Sequence, residues 1–349
     1  MTAITPPGAP EAGHGWRGPT IAEIARAAGL GTATVDRVLN RRDSVREPTR
    51  KKVLAALARL GGGRTAAARE TRRRIAFLTD SGVSYNRALQ EAVADYCVAH
   101  PGLDCPFIAV ATAQVDSIKF AQAIERAAGE ADGVVVVARE DMTINRVIRA
   151  VAQRRVPLVC LTTDLPNSGR SAYVGNDQVS AGATAAWLMG QLVGPRPGKI
   201  LVVVSAPYRV QEDRELGFRR VLRSEFSHLV VDDRVNSNDE NEYSCRHVMK
   251  YIGEHGAPAG IYNTAGGNMG IGRALQESGL AGKTVFIGHE INANSRVLLE
   301  SGLMHFAIGH DVDREVALCI EYVSALLDKR PPPPLTPTRV QIYTKYSCY

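Results

Sequence analysis

Short apolar runs alternate with longer amphipathic stretches from residue 75 onward, and this alternation leaves few folds open to the chain. Apolar runs separated by helical stretches predict parallel strands with both faces buried, and nine of them favour two α/β lobes over one sheet. The predicted strands cover residues 74–79, 106–112, 133–138, 157–162, 199–205, 228–233, 260–264, 284–288 and 305–309. Amphipathic helices are predicted between them, for instance at 84–99, 116–129, 142–153 and 238–255.

The chain is expected to pass between the lobes where this alternation is interrupted. One crossing is predicted at SAYVGNDQ (171–178), a second near 304, and a third near 330–337, where a run of prolines cannot form a helix. We therefore expect lobe one at about 75–170 and 305–330, and lobe two at about 171–304 and 331–349. The C-terminal TRVQIYTKYSCY is typical of a strand, and no apolar heptads follow it that would form a tetramerising coiled coil.

Charge divides the chain into a basic head and a slightly acidic body. Residues 1–74 carry 15 Lys and Arg against 6 Asp and Glu, whereas the remaining residues carry 27 against 30. A segment this basic indicates a polyanionic partner, and a solvated basic tail is the plainer alternative. Residues 1–18 are rich in Gly and Pro and are predicted to be disordered, and residues 62–74 are predicted to be a basic hinge or linker.

Residues 19–61 predict three helices, with the tight turn Gly29-Leu30-Gly31 between the first two. Two helices joined in this way make a helix-turn-helix, whose second helix enters the major groove of DNA. That second helix opens with Thr32, Ala33 and Thr34, and Arg37 lies one turn further on. A plain helical hairpin explains the periodicity equally well, but it does not explain the Arg and Lys residues concentrated beside it.

The stretch PTIAEIARAAGLGTATVDRVLNRRDSVREPTRKKVLAALARLG resembles the DNA-binding head of the lactose-repressor (LacI/GalR) family. The resemblance implies that the first residues of the second helix read base edges while neighbouring residues hold the DNA backbone. Arg37 is expected to make the strongest specific contact, because its guanidinium forks onto a guanine. The implied DNA contacts are Thr20, Thr32, Ala33, Thr34, Arg37, Asn40, Arg41, Arg42, Arg50 and Lys51.

The head departs from the family pattern in three places. Gly31 and Asp36 stand where the family usually has Ser, and because Gly31 is a weaker helix cap, Thr32 is the substitute. An acid at Asp36 is unfavourable near DNA unless it orients Arg37 or accepts from a cytosine. The linker GGGRTAAARETRRR also lacks the Leu that relatives wedge into the minor groove, so we expect little wedging and weak bending of the operator.

The body resembles the periplasmic-sugar-binding-protein-like sensor domain of the same family at YVGNDQVSAG (173–182), RELGF (214–218), GGNMGIGRAL (266–275) and FIGHE (286–290). Ligands of such two-lobed folds bind between the lobes, at the carboxyl ends of parallel strands. A sugar or polyol needs carboxylates, amides and guanidinium groups against its hydroxyls. The strand-end residues that fit are Tyr85, Asn86, Arg139, Asp141, Asp164, Arg214, Asn263, Glu290 and His310.

The ligand class is less constrained than the fold. Glu290 stands where many relatives have Asp, and His310 where sugar-binding relatives often have Gln, which leaves an acidic or phosphorylated ligand open. Asp141 and Asp164 argue mildly against a strongly anionic one.

These features together predict a cytoplasmic transcription regulator, a repressor, that binds a partly palindromic DNA operator as a homodimer under the control of a sugar or polyol. We expect no enzymatic activity, cofactor, metal or membrane partner; the GKT-ending segment at 278–284 lacks the glycine spacing of a phosphate loop. A solute-binding protein and a sugar-acting α/β enzyme are the alternatives. The first would lack a use for the basic head, and turnover of a sugar would favour the second.

Overall fold

The computed structural model describes residues 20–39, 45, 47–60 and 72–348, and the chain divides into two compact units between Arg72 and Arg73. We call them the head and the body. The predictions of a disordered tail at 1–18 and of little minor-groove wedging by the linker lie outside the described residues.

The head consists of α1 (Ile21–Ala28), α2 (Thr32–Leu39) and α3 (Glu47–Leu60). Thr20 caps α1 in a reciprocal arrangement with Glu23, and Gly29 ends the helix with a left-handed φ of +65°, which glycine adopts without strain. The small core that holds the three helices together is formed by the buried side chains of Ile24, Ala25, Val35, Val38, Val53 and Ala56.

The body alternates strands and helices along its whole length. Its amino-terminal part contains β1 (Arg73–Ser81), α4 (Val83–Ala99), β2 (Leu103–Asp104), β3 (Phe107–Ala111), α5 (Ser117–Glu130), β4 (Gly133–Val137), α6 (Met142–Gln153), β5 (Leu158–Leu161) and β6 (Ala172–Val174). Its second part contains α7 (Gln178–Val193), β7 (Gly198–Val204), α8 (Arg209–Glu225), β8 (Leu229–Asn236), α9 (Asn241–His255), β9 (Gly260–Asn263), α10 (Asn268–Glu277), β10 (Val285–His289), α11 (Ala293–Glu300), β11 (Phe306–Gly309), α12 (Val312–Leu327) and β12 (Gln341–Tyr343).

The strands form two six-stranded sheets, one in each lobe. The first has the order β2-β1-β4-β5-β6, with β3 also paired to β1, and the second has the order β12-β11-β10-β9-β7-β8. Every pairing is parallel except that of β11 with the C-terminal strand β12. The predicted fold class, a helical head on a two-lobed body of parallel sheets, is confirmed.

Both faces of each sheet are covered at its centre, which explains why central strands such as β4, β5 and β10 are almost entirely apolar. In β1, Ile75 and Phe77 pack into one hydrophobic cluster while Ala76 and Leu78 pack into another on the opposite face. The second sheet is covered in the same way by two further clusters. Since successive side chains of a strand point to opposite faces, a run without polar residues is the pattern that this layered packing requires.

Two strands lie in the opposite lobe from the one predicted. β6 pairs with β5 in the first sheet, although residues from 171 onward were assigned to lobe two. β11 pairs with β10 in the second sheet, although residues from 305 onward were assigned to lobe one. The chain instead crosses after β6, between β11 and α12, and between α12 and β12; α12 alone returns to lobe one, where it packs against α4 and β5. The local pattern of a strand does not reveal which sheet supplies its neighbour.

No helix in the described ranges is both long and apolar enough to cross a membrane.

Candidate functional site

The first turn of α2 presents short side chains outward. Thr32 and Ala33 are exposed, and Thr34 is partly covered. One turn later Arg37 is exposed as well, and its Nε donates to the carbonyl of Ala33 at 3.2 Å. The guanidinium therefore lies along the helix beside the short side chains, where a fork of N–H donors is able to meet the edge of a base.

The remaining predicted DNA contacts lie outside α2. Thr20 is exposed, and its hydroxyl donates to Glu23, whose pKa is lowered by the backbone and side-chain hydrogen bonds from Thr20. Arg50 and Lys51 are exposed in the first half of α3. Asn40, Arg41 and Arg42 lie outside the described residues.

A cavity of about 640 Å³ lies between the two lobes of the body. It is formed where parallel strands end, because Ser81 closes β1, Val137 closes β4 and Thr162 follows β5. From the other lobe, Thr264 follows β9 and Glu290 follows β10. Thr162 and Glu290 both have left-handed φ angles, of +64° and +68°, in a region that side-chain-bearing residues seldom adopt. We call this cavity the interlobe cleft.

Arg214 is the cation in the described lining of the interlobe cleft. It is 4% exposed, and its three guanidinium nitrogens each have an acceptor in lobe two. Nε donates to Gln178 at 2.8 Å, Nη1 to the carbonyl of Thr264 at 3.0 Å, and Nη2 to Glu290 at 2.9 Å. Its charge is therefore already balanced by Glu290, whereas Asp239, Glu240 and Glu242 add further carboxylates to the lining.

A buried ionic chain runs from the cleft to the crossing segments. We call Glu290, His310 and Glu315 the ionic chain: Nε2 of His310 lies 3.1 Å from Glu290, and Nδ1 lies 2.7 Å from Glu315. Thr338, in the third crossing segment, donates to the other oxygen of Glu315 at 2.5 Å.

Charge decides the protonation of the ionic chain. Burial opposes a charge on His310, but the carboxylates of Glu315 and Glu290 raise its pKa to about 10. Burial likewise opposes ionisation of Glu290, yet the charges of His310 and Arg214 hold the pKa of Glu290 well below its usual range. The ionic chain therefore consists of the imidazolium of His310 between the carboxylates of Glu290 and Glu315.

Buried and partly buried hydrogen bonds beside the interlobe cleft join the two lobes. The hydroxyl of Tyr208, at the start of α8, donates to Asp80 of β1 at 2.6 Å and lies 3.0 Å from the hydroxyl of Thr112. Thr112 in turn donates to Asp239 of lobe two at 2.6 Å. On the lobe-one side, Arg139 holds Asp80 in a two-pronged ion pair at 2.5 and 2.8 Å. The structure is thus a closed arrangement of the lobes.

Three of the nine predicted ligand residues, Tyr85, Arg214 and Glu290, line the interlobe cleft. His310 lies behind Glu290, and Arg139 lies behind Tyr208 and Asp80. The other four hold the fold together outside the lining: Asn86 bonds to Thr79, Asp141 caps α6, Asp164 pairs with Arg170, and Asn263 bonds to Asn268. Each of these side chains has a partner nearby. The prediction chose residues because they follow strands, which we call the strand-end rule, and that rule does not take such local partners into account.

The prediction also missed residues that form the cleft, among them Tyr208, Gln211, Thr162 and Asp239. Tyr208 comes shortly after β7 and Thr162 directly after β5, so the strand-end rule would have reached both of them. Asp239 was out of its reach because β8 continues to Asn236, three residues beyond the predicted end at 233.

Within the described residues, no group of three His, Cys, Asp or Glu side chains is placed to hold a metal ion.

Comparison with family models gives two matches. Residues 20–61 match the model described as bacterial regulatory proteins, lacI family, and residues 75–331 match the model described as periplasmic binding protein domain. No protein with a curated description matches the chain.

Solved structures similar to the body share its fold at low sequence identity. GanP, a glucose-galactose binding protein from Geobacillus stearothermophilus, is 18% identical with a TM-score of 0.71, over 79% of this chain and 98% of that one. A solute-binding protein of an ABC transporter from Burkholderia graminis C4D1M, in complex with D-arabinose, is 18% identical with a TM-score of 0.72, over 79% and 96%. One from Agrobacterium vitis, bound with alpha-D-tagatopyranose, is 15% identical with a TM-score of 0.69, over 79% and 95%.

Proposed function

Because this chain belongs to the periplasmic binding protein domain family and carries the DNA-binding domain of the lacI family of bacterial regulatory proteins, it is a ligand-regulated, DNA-binding transcription regulator, and we propose that it represses transcription as a homodimer on a partly palindromic operator. Two heads related by two-fold symmetry place their α2 helices in successive major grooves. The observation that supports this most directly is the exposed first turn of α2 with Arg37 beside it. Binding to the chromosome places the protein in the cytoplasm.

The operator proposal is tested by selecting bound DNA from a random library with the full chain. We expect an inverted repeat that is lost in Arg37→Ala, because a forked contact to guanine contributes about 1–3 kcal/mol of discrimination at that base pair. Arg26→Ala is the matched control, since it removes the same charge from an exposed position on α1. Binding without any consensus, or equal losses in both variants, would count against base reading by Arg37.

For the effector, we propose a neutral sugar or polyol held in the interlobe cleft. Arg214 is the cation of the described lining and is already paired with Glu290, so a phosphate or carboxylate would face Asp239 and Glu240 without a counter-charge. Hydroxyl groups, by contrast, donate to carboxylates and accept from the guanidinium. The neighbouring structures with bound sugars support the same class for this chain.

Calorimetric titration of the full chain with neutral pentoses, hexoses and polyols, and with their phosphates, tests this proposal. We expect binding from the neutral series, loss of that binding in Arg214→Ala, and none from the phosphates. Arg223→Ala, an exposed position on the same helix, is the control and keeps the affinity. Tight binding of a phosphate ester would overturn the ligand class, and recovery of a chemically changed sugar would overturn the expectation that the protein has no enzymatic activity.

A further inference from the structure

The six cysteines of the chain are of two kinds. Four of them are at most 3% exposed, namely Cys160, Cys245, Cys319 and Cys348. Cys97 and Cys105 are half-buried, and their side chains are in hydrogen-bond contact with each other. We call Cys97 and Cys105 the thiol pair. Neither residue lines the interlobe cleft, so the proposed function makes no use of them.

A tight turn brings the thiol pair together. Cys97 is in the last turn of α4, and the backbone N–H of His100 donates to its carbonyl at 3.2 Å. Leu103 then donates to the carbonyl of His100 at 3.0 Å, and the chain turns back into β2. Cys105 directly follows β2, which pairs with the first two residues of β1. Both side chains pack on the edge of the same hydrophobic cluster.

The contact changes the acidity of the Cys105 thiol. The hydrogen bond with Cys97 and, after it, burial raise the pKa of the Cys105 thiol. Cys105 therefore keeps its proton and donates it towards the sulfur of Cys97. The same contact holds the Cys105 thiol against the sulfur of Cys97, so a second thiol is in place to complete an exchange once Cys97 is oxidised.

We propose that the thiol pair is a site of reversible oxidation, at which a peroxide converts Cys97 and Cys105 into an intramolecular disulfide. The thiolate of Cys97 attacks a peroxide oxygen, the O–O bond breaks, and after proton transfer one water and a sulfenic acid form. The sulfur of Cys105 then attacks the sulfenic sulfur, the S–S bond forms, and the hydroxyl leaves with the Cys105 proton as a second water. Two electrons pass from the sulfurs to the peroxide, and a dithiol reductant reverses the change.

The alternative is that both residues merely fill the edge of the core as small apolar side chains. That alternative predicts single-sulfur oxidation at most. The two possibilities differ in the fate of one peptide, because Cys97 and Cys105 lie together between Arg87 and Lys119 with no other trypsin site between them.

The test is peroxide treatment of the folded full chain, followed by thiol titration and peptide mass measurement. Before treatment, a thiol reagent is expected to react with two sulfurs per folded chain and not with the four buried ones. After treatment we expect both thiols to be lost, the peptide at 88–119 to weigh two hydrogen atoms less, and dithiothreitol to restore both.

Serine variants supply the controls. Cys105→Ser should accumulate a sulfenic acid at Cys97, which dimedone traps, whereas Cys160→Ser should form the disulfide as the parent chain does. The proposal is overturned if both thiols survive peroxide, if oxidation stops at sulfinic acid in the parent chain, or if the disulfide joins two chains instead of two positions of one.

Discussion

At the scale of single residues, His310 is a buried histidine with a carboxylate on each side. It lies buried between the partly buried Glu290 and the fully buried Glu315, and its imidazolium, together with Arg214 beside Glu290, neutralises these two carboxylates. Removing one partner from a buried ionic group leaves the others uncompensated, which is far more costly than losing an exposed ion pair. The ionic chain therefore depends on the proton of His310.

The pH dependence of stability follows from that proton. Because the folded-state pKa of His310 is raised to about 10, above the ordinary value of 6.5, its contribution is fully present below pH 6.5 and is lost as the pH rises through 10. We expect the free energy of unfolding by urea to fall between pH 6.5 and 10 in the parent chain, by a few kcal/mol. In His310→Gln it should be lower at pH 6 and nearly level over that interval.

The comparison to make is the difference between the two pH profiles, since every group except the one at position 310 is common to both proteins. His247→Gln serves as the control, because that histidine contacts the backbone of α9 and has no carboxylate partner in the described salt bridges. Parallel profiles for the parent chain and His310→Gln would show that His310 is neutral in the folded protein.

At the scale of elements, the crossing of α7 and α8 determines where Arg214 lies. A Cβ added to Gly182 of α7 would collide with the carbonyl of Arg214, and one added to Gly217 of α8 would collide with the carbonyl of Val179. The two helices therefore pack backbone against backbone. This close approach brings Arg214, on the inner face of α8, within reach of Gln178 and Glu290.

Gly217→Ala should separate the two helices and destabilise the body by about 1–3 kcal/mol, the usual range for an overpacked core. The same shift should weaken effector binding, since Gly217 is one turn from Arg214 on α8. Gly253→Ala is the matched control: it is exposed on α9 with no neighbour within 4 Å of the added Cβ, and it should gain about 0.5–1 kcal/mol. Urea unfolding measures both, and equal stabilities would refute the close approach.

At the scale of the whole molecule, the hydrogen bonds between the lobes hold the body closed. Thr112 of lobe one contacts Tyr208 and Asp239, which both belong to lobe two. These contacts therefore exist only while the lobes are together. A ligand that prefers the closed arrangement binds more tightly because these bonds stabilise that arrangement. By thermodynamic linkage, its binding is able to change the affinity of the protein for DNA.

Tyr208→Phe should therefore weaken effector binding by about 10- to 100-fold, because a hydrogen bond to a charged group contributes roughly 1.5–3 kcal/mol. The ring is retained, so its packing near Arg139 is preserved. Tyr251→Phe is the control, since its hydroxyl donates to Asp232 at 2.8 Å within lobe two alone. Calorimetry gives the affinity, and small-angle scattering of the unliganded variant should show a larger radius of gyration. An unchanged affinity would mean that Tyr208 does not hold the lobes together.

The sequence by itself was sufficient for the architecture and for the kind of function. Apolar runs such as VVVV at 134–137 need two covered faces wherever they lie, and the turn around Gly29 needs a left-handed residue whatever surrounds it. These requirements are local, since they arise from the period of side chains along a strand and from the steric freedom of glycine. The helix-turn-helix and the layered sheets were predictable for that reason, and the kind of function followed from the resemblance of both parts to one family.

Only the tertiary structure decided the lobe assignment of β6 and β11 and the membership of the cleft. Tyr85, Arg214 and Glu290 reach the cavity, whereas Asp141 and Asp164 follow strands in the same way but are taken up by a helix cap and by Arg170. Tyr208 and Asp239 meet lobe one across more than a hundred residues of chain. Such pairings depend on how sheets and helices stack, and no periodicity within one segment carries that information.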